Sequence, residues 1–251
     1  MAIDSQMDMA KNKIIIVITF FLLSALWFFF PLWKVESGNV WFAMRLALPA
    51  IILTLGGIGL LPRFMTMGFL FCAVGDVMGV LGSFEGQMGG FTFAHIYFIS
   101  QFAKDIRQSI LHSSSFILHL IIVILLCLFP LAIAFIKVIP AIHDLFIRLG
   151  CIIYALLLCG TFGTSILRFF SCSSPLRGEL ERGFVVLGAL LFLISDFILS
   201  WNKFTSHIPH ASLYIMMTYY AALFFLFVGT LRPLLFNYKN RNNRYNYMKS
   251  L

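Results

Sequence analysis

The sequence predicts an all-α fold, a polytopic membrane helical bundle with eight transmembrane helices. Three observations predict it. Of 251 residues, 61% are hydrophobic and 11% are charged, with mean hydropathy +0.95. A soluble domain averages about 45–50% apolar and about 25% charged. The apolar residues gather into eight segments, most near the roughly 20 residues that a helix needs to cross a bilayer. Lysine and arginine are distributed between alternate linkers with a strong bias to one side.

The first segment, approximately 14–33, is long enough to span and too long for a signal-peptide core, and no small-residue cleavage site accompanies it. The second, 40–62, contains Arg45-Leu-Ala-Leu-Pro49 and, at its far end, Gly56, Gly57 and Gly59. Those glycines are not a phosphate loop, because no Lys-Ser/Thr follows them. The third, 64–82, begins after Arg63 and contains Asp76. The fourth, 88–103, is short and starts on glycines. The fifth and sixth are 115–138 and 145–170. The seventh, 182–201, runs from Arg182 to Lys203 and contains Asp196. The eighth is 211–235, and a basic tail, 236–251, follows. The connections are too short for a soluble domain, so 1–251 reads as a single transmembrane domain.

With eight spans both termini share a side. Of the 18 Lys and Arg residues, thirteen fall on that side; the other side has Lys34, Arg45, Lys137, Arg148 and Lys203. The bias places both termini in the cytoplasm. It also accounts for the net charge of +8 without nucleic acid: the tail from Lys239 to Lys249 faces anionic headgroups. The five cysteines, Cys72, Cys127, Cys151, Cys159 and Cys172, are odd in number and form no Cys-x-x-Cys, so neither a disulfide framework nor a zinc site is expected. His112, His119, His143, His207 and His210 lie near span ends or in loops without metal-ligand spacing. Gly75, Gly79, Gly82, Gly188 and Ala189 are candidate close-packing positions.

Asp76 and Asp196 carry most of the functional signal. A carboxylate at the bilayer centre costs about 2.5–3.5 kcal/mol on insertion scales, so such residues normally face a cavity and handle protons, ions or substrate. A lone one often just bonds a lysine or a backbone carbonyl. Here two occur at matched depth. Asp76 is seven residues before Ser83, and Asp196 is seven before Lys203. His95 is six residues into the fourth segment from Gly89, and Tyr97 is eight. At about 1.5 Å per residue these groups share the outer half of the bilayer. They are expected to line one polar cavity that opens away from the cytoplasm.

The residues around them resemble a known family. Gly75-Asp76, Phe91-Thr-Phe-Ala94-His95-Ile-Tyr97, Gly188-Ala189 through Ser195-Asp196-Phe-Ile-Leu199-Ser-Trp-Asn-Lys203-Phe204, and Thr218-Tyr219-Tyr220-Ala-Ala222 are similar to the YhhN-like lysoplasmalogenase family. The eight-span layout is similar too. The resemblance implies an intramembrane hydrolase of the vinyl-ether bond in lysoplasmalogens. Such an enzyme releases a fatty aldehyde and glycerophosphoethanolamine or glycerophosphocholine. It implies catalytic roles for Asp76 and Asp196, with no cofactor and no metal, and a lysophospholipid substrate among membrane lipids. A bacterial cytoplasmic membrane is the expected setting. Two positions depart from the family pattern: Arg45-Leu-Ala-Leu-Pro49 where Lys-Pro is common, and Leu223 where a glutamine is common.

The chemistry fits the residue types. Vinyl-ether hydrolysis protonates the distal alkene carbon, gives an oxocarbenium ion, and adds water to form a hemiacetal that collapses. The first step needs a neutral carboxylic acid, and the second is helped by a carboxylate. Two neighbouring carboxyls in an apolar bundle supply both forms, and their titration belongs to the pair. Either aspartate suits either role. His95, Tyr97, Ser195, Tyr219 and Tyr220 are the candidate substrate-binding and supporting groups. A proton-coupled small-solute or lipid transporter would use the same Asp/His cluster, but no inverted repeat relates the two halves. A non-catalytic scaffold gives no reason for the carboxylates.

Overall fold

The structure is a computed structural model and describes residues 2–29, 40–107, 116–171 and 178–231. The tail 236–251 lies outside the described residues, as do Lys34, His112, Cys172 and Arg177. Among the described residues there is no strand. Eight α-helices follow one another: α1 (Ala2–Phe29), α2 (Val40–Gly57), α3 (Arg63–Val80), α4 (Phe84–Arg107), α5 (Phe116–Ile133), α6 (Leu145–Ser171), α7 (Glu179–Phe204) and α8 (Ala211–Thr230). Six meet the length and composition needed to cross a membrane, over Asp8–Phe29, Arg63–Val80, Phe116–Ala141, Leu145–Ser171, Glu179–Phe204 and Ala211–Thr230. The other two are α2, apolar over Met44–Gly57, and α4. The 24 residues of α4 are diluted by Glu85, Gln87, Gln101, Lys104, Asp105 and Arg107. The fourth helix is also longer than the expected 88–103. Its glycines do not interrupt it.

Helix α4 tolerates that polarity because neighbours cover it. It packs between α3 and α6 and buries Phe91, Ala94, His95, Phe98, Gln101, Phe102 and Ile106. Near its C-terminal end Arg168 of α6, 1% exposed, donates from Nε to Asp105 Oδ2 at 2.7 Å. Gln101 donates to the same carboxylate at 2.8 Å. Arg168 counts among the thirteen basic residues of one side, and the structure buries it, because position 168 faces α4 and finds a carboxylate there. By contrast, α5 contacts chiefly α6 and leaves Ile117 71% and Phe129 72% exposed, the surface expected against lipid. Pro130 lies within α5. Beyond Ile133 the helix widens into one turn, Ala134–Val138, where the Ile139 N–H bonds the Ala134 carbonyl, and a tighter turn, Ile139–Ala141, follows.

Glycine sets the closest contacts. A methyl on Gly90 would lie 2.6 Å from the Gly75 backbone, so α3 and α4 touch backbone to backbone. The α7–α8 pair does the same. A methyl on Gly188 would lie 2.8 Å from the Leu226 nitrogen, and one on Gly229 2.6 Å from the Glu181 carbonyl oxygen. Small residues at helix contacts are how membrane helices gain packing where no hydrophobic force separates protein from lipid. Gly90 and Gly229 are the opposing members that the sequence reading did not single out. Gly82 differs from its expected packing role. It has φ +85° with open space around it, so it turns the chain after α3. Gly90→Ala should lower the thermal midpoint in detergent by several degrees, since overpacking costs about 1–3 kcal/mol. Gly89→Ala, with nothing within 4 Å, is the control. Equal midpoints would show that the α3–α4 contact is not tight.

Candidate active site

Alternating helix directions bring the expected residues to one end of the bundle. Asp76 is four residues from the end of α3 and Asp196 eight from the end of α7. His95 is eleven past the start of α4, and Tyr219 eight past the start of α8. Tyr154 is nine past the start of α6. All five lie toward the turns 81–83, 139–144 and 205–210. The Arg63, Lys104, Arg168 and Arg182 ends of the same helices are opposite.

Each carboxyl is buried and each is held by a tyrosine from another helix. Tyr219 Oη donates to Asp76 Oδ2 at 2.9 Å, joining α8 to α3. Tyr154 Oη donates to Asp196 Oδ2, joining α6 to α7. A buried carboxylate without such donors would carry a desolvation penalty of several kcal/mol. Cys72, buried, lies one turn before Asp76 on α3.

His95 extends the Asp196 group. Its Nδ1 lies 2.9 Å from Thr161 Oγ1, and that hydroxyl donates to the Leu157 carbonyl at 3.1 Å. A hydroxyl has one proton. Thr161 therefore accepts from His95 Nδ1–H, which leaves a lone pair on Nε2. That nitrogen faces Tyr154 Oη at 3.4 Å. Phe192 packs between the two halves, 4.7 Å from the His95 ring and 5.4 Å from the Tyr219 ring, centroid to centroid.

A cavity of about 80 Å³ adjoins this network. Asp196 and Tyr154 lie in its wall, with Gln87 and Ser200; the rest is mainly apolar, including Phe91, Leu158, Phe197 and Leu199. It reaches the bundle end, where Phe84 begins α4, Phe204 closes α7, and the wide turn after α5 contributes Ala134 and Val138. Asp76 and His95 are not lining residues. The expected single cavity with all three groups in its wall is thus one cavity with Asp196 at the surface. His95 stands one hydrogen bond behind Tyr154, and Asp76 behind the contact of Tyr219 with Phe91, 5.7 Å between ring centroids.

The remaining candidates sit elsewhere. Tyr97 stacks on Phe71 at 5.5 Å; two residues beyond His95, it points to the other side of α4. Ser195 Oγ donates to the Ile215 carbonyl at 3.0 Å, and Tyr220 Oη to the Leu46 carbonyl at 3.0 Å. Both tie α8 to a neighbour. Tyr154 and Thr161 are the functional candidates that sequence reasoning missed. The depth of Tyr154, matched to that of Asp196, was the available signal, and only the third, fourth and seventh spans were compared.

Comparison with known proteins bears on this arrangement. The chain is 46% identical over 56 residues to the lysoplasmalogenase TMEM86B of Homo sapiens, covering 22% of this chain and 25% of that protein. It is 50% identical over 46 residues to the lysoplasmalogenase TMEM86B of Sus scrofa, covering 18% and 20%. The matched stretches thus span a quarter or less of those relatives. Both are mammalian, so the expected bacterial setting draws no support from them. No solved structure matches the chain. The YhhN family matches residues 39–230, from the start of α2 to the end of α8. This is an integral, multi-pass membrane protein, and it belongs to the YhhN family.

Proposed function

We propose that this protein is an intramembrane hydrolase of the vinyl-ether bond of lysoplasmalogens. The products are a fatty aldehyde and glycerophosphoethanolamine or glycerophosphocholine. The observation that carries the reading is Asp196, bonded by Tyr154, in the wall of an apolar cavity within the bundle. Membership of the YhhN family and the partial matches to proteins named lysoplasmalogenase support it.

The mechanism follows from which groups reach the cavity. Asp196, protonated, gives its proton to the distal alkene carbon, and the vinyl ether becomes an oxocarbenium ion. Its carboxylate is then beside the cation and takes a proton as water adds to the ether-bearing carbon. The hemiacetal collapses to aldehyde and the glycerol hydroxyl, and Asp196 is again an acid. Tyr154 keeps the carboxyl aimed at the cavity. Asp76 acts without touching substrate. Held by Tyr219 behind Phe91, it shapes the field at the reacting centre from outside the cavity wall. The cavity suits the reacting end of a lipid and a water, and the alkenyl chain lies among the surrounding Phe and Leu side chains.

We further read α2 and α4 as crossing the membrane, which restores eight spans. At about 1.5 Å per residue, α4 is about 36 Å long, against a core of about 30 Å. The basic ends then face the cytoplasm with both termini, and the cavity faces the opposite leaflet.

Purified protein in detergent, given choline or ethanolamine lysoplasmalogen, should release aldehyde with no ion gradient. Gradient-dependent uptake with no turnover would instead identify a transporter. Asp196→Asn should abolish release, and Asp76→Asn should lower kcat by tenfold or more. Near-wild-type turnover in the Asp196 variant would end the mechanism. Tyr154→Phe should lower kcat about 10- to 100-fold, the worth of a hydrogen bond to a charged group, with KM little changed. An unaltered kcat would remove Tyr154 from the site.

A further inference from the structure

Lys203 is a cation at the end of the cavity. It is the penultimate residue of α7, exposed, and makes no ion pair among the described residues. Its ammonium lies 4.4 Å from the Phe84 ring centroid and 5.8 Å from that of Phe204. Both rings line the cavity. Cys151 of α6, a third lining residue, is within electrostatic reach of the same ammonium. Residues of α4, α6 and α7 therefore surround the charge at the cavity end. Other cations at this end are engaged elsewhere: Arg45 bonds the Trp27 and Phe28 carbonyls, and Arg148 bonds the Ile142 carbonyl. Lys137, on the wide turn, makes no cation–ring contact among the described residues.

The interval between Lys203 and Asp196 is informative. They are seven residues apart on one helix. Seven steps return to within about 20° of the same face and rise about 10 Å. In a lysoplasmalogen, seven bonds separate the alkene carbon that takes the proton from the phosphorus. At about 1.2 Å per bond in an extended chain, that is about 8 Å. The remaining distance is within the reach of the flexible lysine stem.

We infer that Lys203 binds the substrate's phosphate while the alkene lies at Asp196. The ligand class is a single-chain phosphodiester lipid whose reacting bond is at the first glycerol carbon. This rests on the vinyl-ether reading above and adds to it the group that selects a phospholipid over a neutral ether lipid. The phosphate stays at the aqueous end, beside the rings of Phe84 and Phe204.

The test compares lysoplasmalogen with 1-alkenylglycerol, which has the same vinyl ether and no phosphate, in a neutral detergent. In wild-type protein kcat/KM should favour the phospholipid. In Lys203→Gln that preference should fall about tenfold, through KM, and Lys203→Arg should restore it. An unmoved preference would overturn the inference, as would equal losses on both substrates, which would mark a merely structural role. Binding of a saturated 1-alkyl lysophospholipid separates the two readings. If wild-type protein cleaves neither vinyl ether yet binds this lipid in a Lys203-dependent way, the vinyl-ether reading fails and the phosphate site stands. Absence of both cleavage and binding ends both.

Discussion

Two carboxyl groups inside an apolar bundle must each find a hydrogen-bond donor, and that requirement organises this fold. Backbone amides are committed to their own helices, so the donors are side chains of other helices. Tyr219 reaches from α8 to Asp76 on α3, and Tyr154 from α6 to Asp196 on α7. Each bond fixes the rotation of one helix against another. Glycine sets the close approach of two other helix pairs, α3 with α4 and α7 with α8. Gly90 against Gly75, and Gly188 and Gly229 between α7 and α8, bring backbones into contact. With those contacts the aromatic cluster of Phe91, Phe192 and Tyr219 closes between the two carboxyls.

The two aspartates are alike in sequence setting and unlike in surroundings. Asp196 has the cavity on one side and the Tyr154–His95–Thr161 chain on the other. Asp76 has Tyr219 and no place in the cavity wall. This asymmetry is what gives them different proposed parts, one exchanging a proton with substrate and one acting from behind the cavity wall. A Thr161 hydroxyl committed to the Leu157 carbonyl fixes the tautomer of His95. The imidazole thereby turns its Nε2 lone pair toward Tyr154.

Much of this was legible in the sequence. Composition and basic-residue bias predicted helices in a membrane, and depth matching along the third, fourth and seventh segments brought Asp76, Asp196 and His95 together. What depth cannot give is rotation about the helix axis. Tyr97, two residues from His95, shares its depth and faces Phe71; Ser195 and Tyr220, each beside a site residue, bond the Ile215 and Leu46 carbonyls. Tyr154 shows the converse error, since the sixth segment was not compared for depth. The pairing of Arg168 with Asp105 is invisible to sequence, because the two lie on different helices, 63 residues apart. The wide turn at Ala134–Val138 breaks a run that hydropathy alone extends to 138.

The central claim is that Asp196 protonates an alkene carbon. Turnover of lysoplasmalogen in D₂O, with mass spectrometry of the aldehyde trapped as it forms, tests this most directly. The account predicts one solvent deuterium on the carbon next to the carbonyl, with no such product from Asp196→Asn. Aldehyde released without that deuterium, or no aldehyde from the wild-type protein, would contradict it.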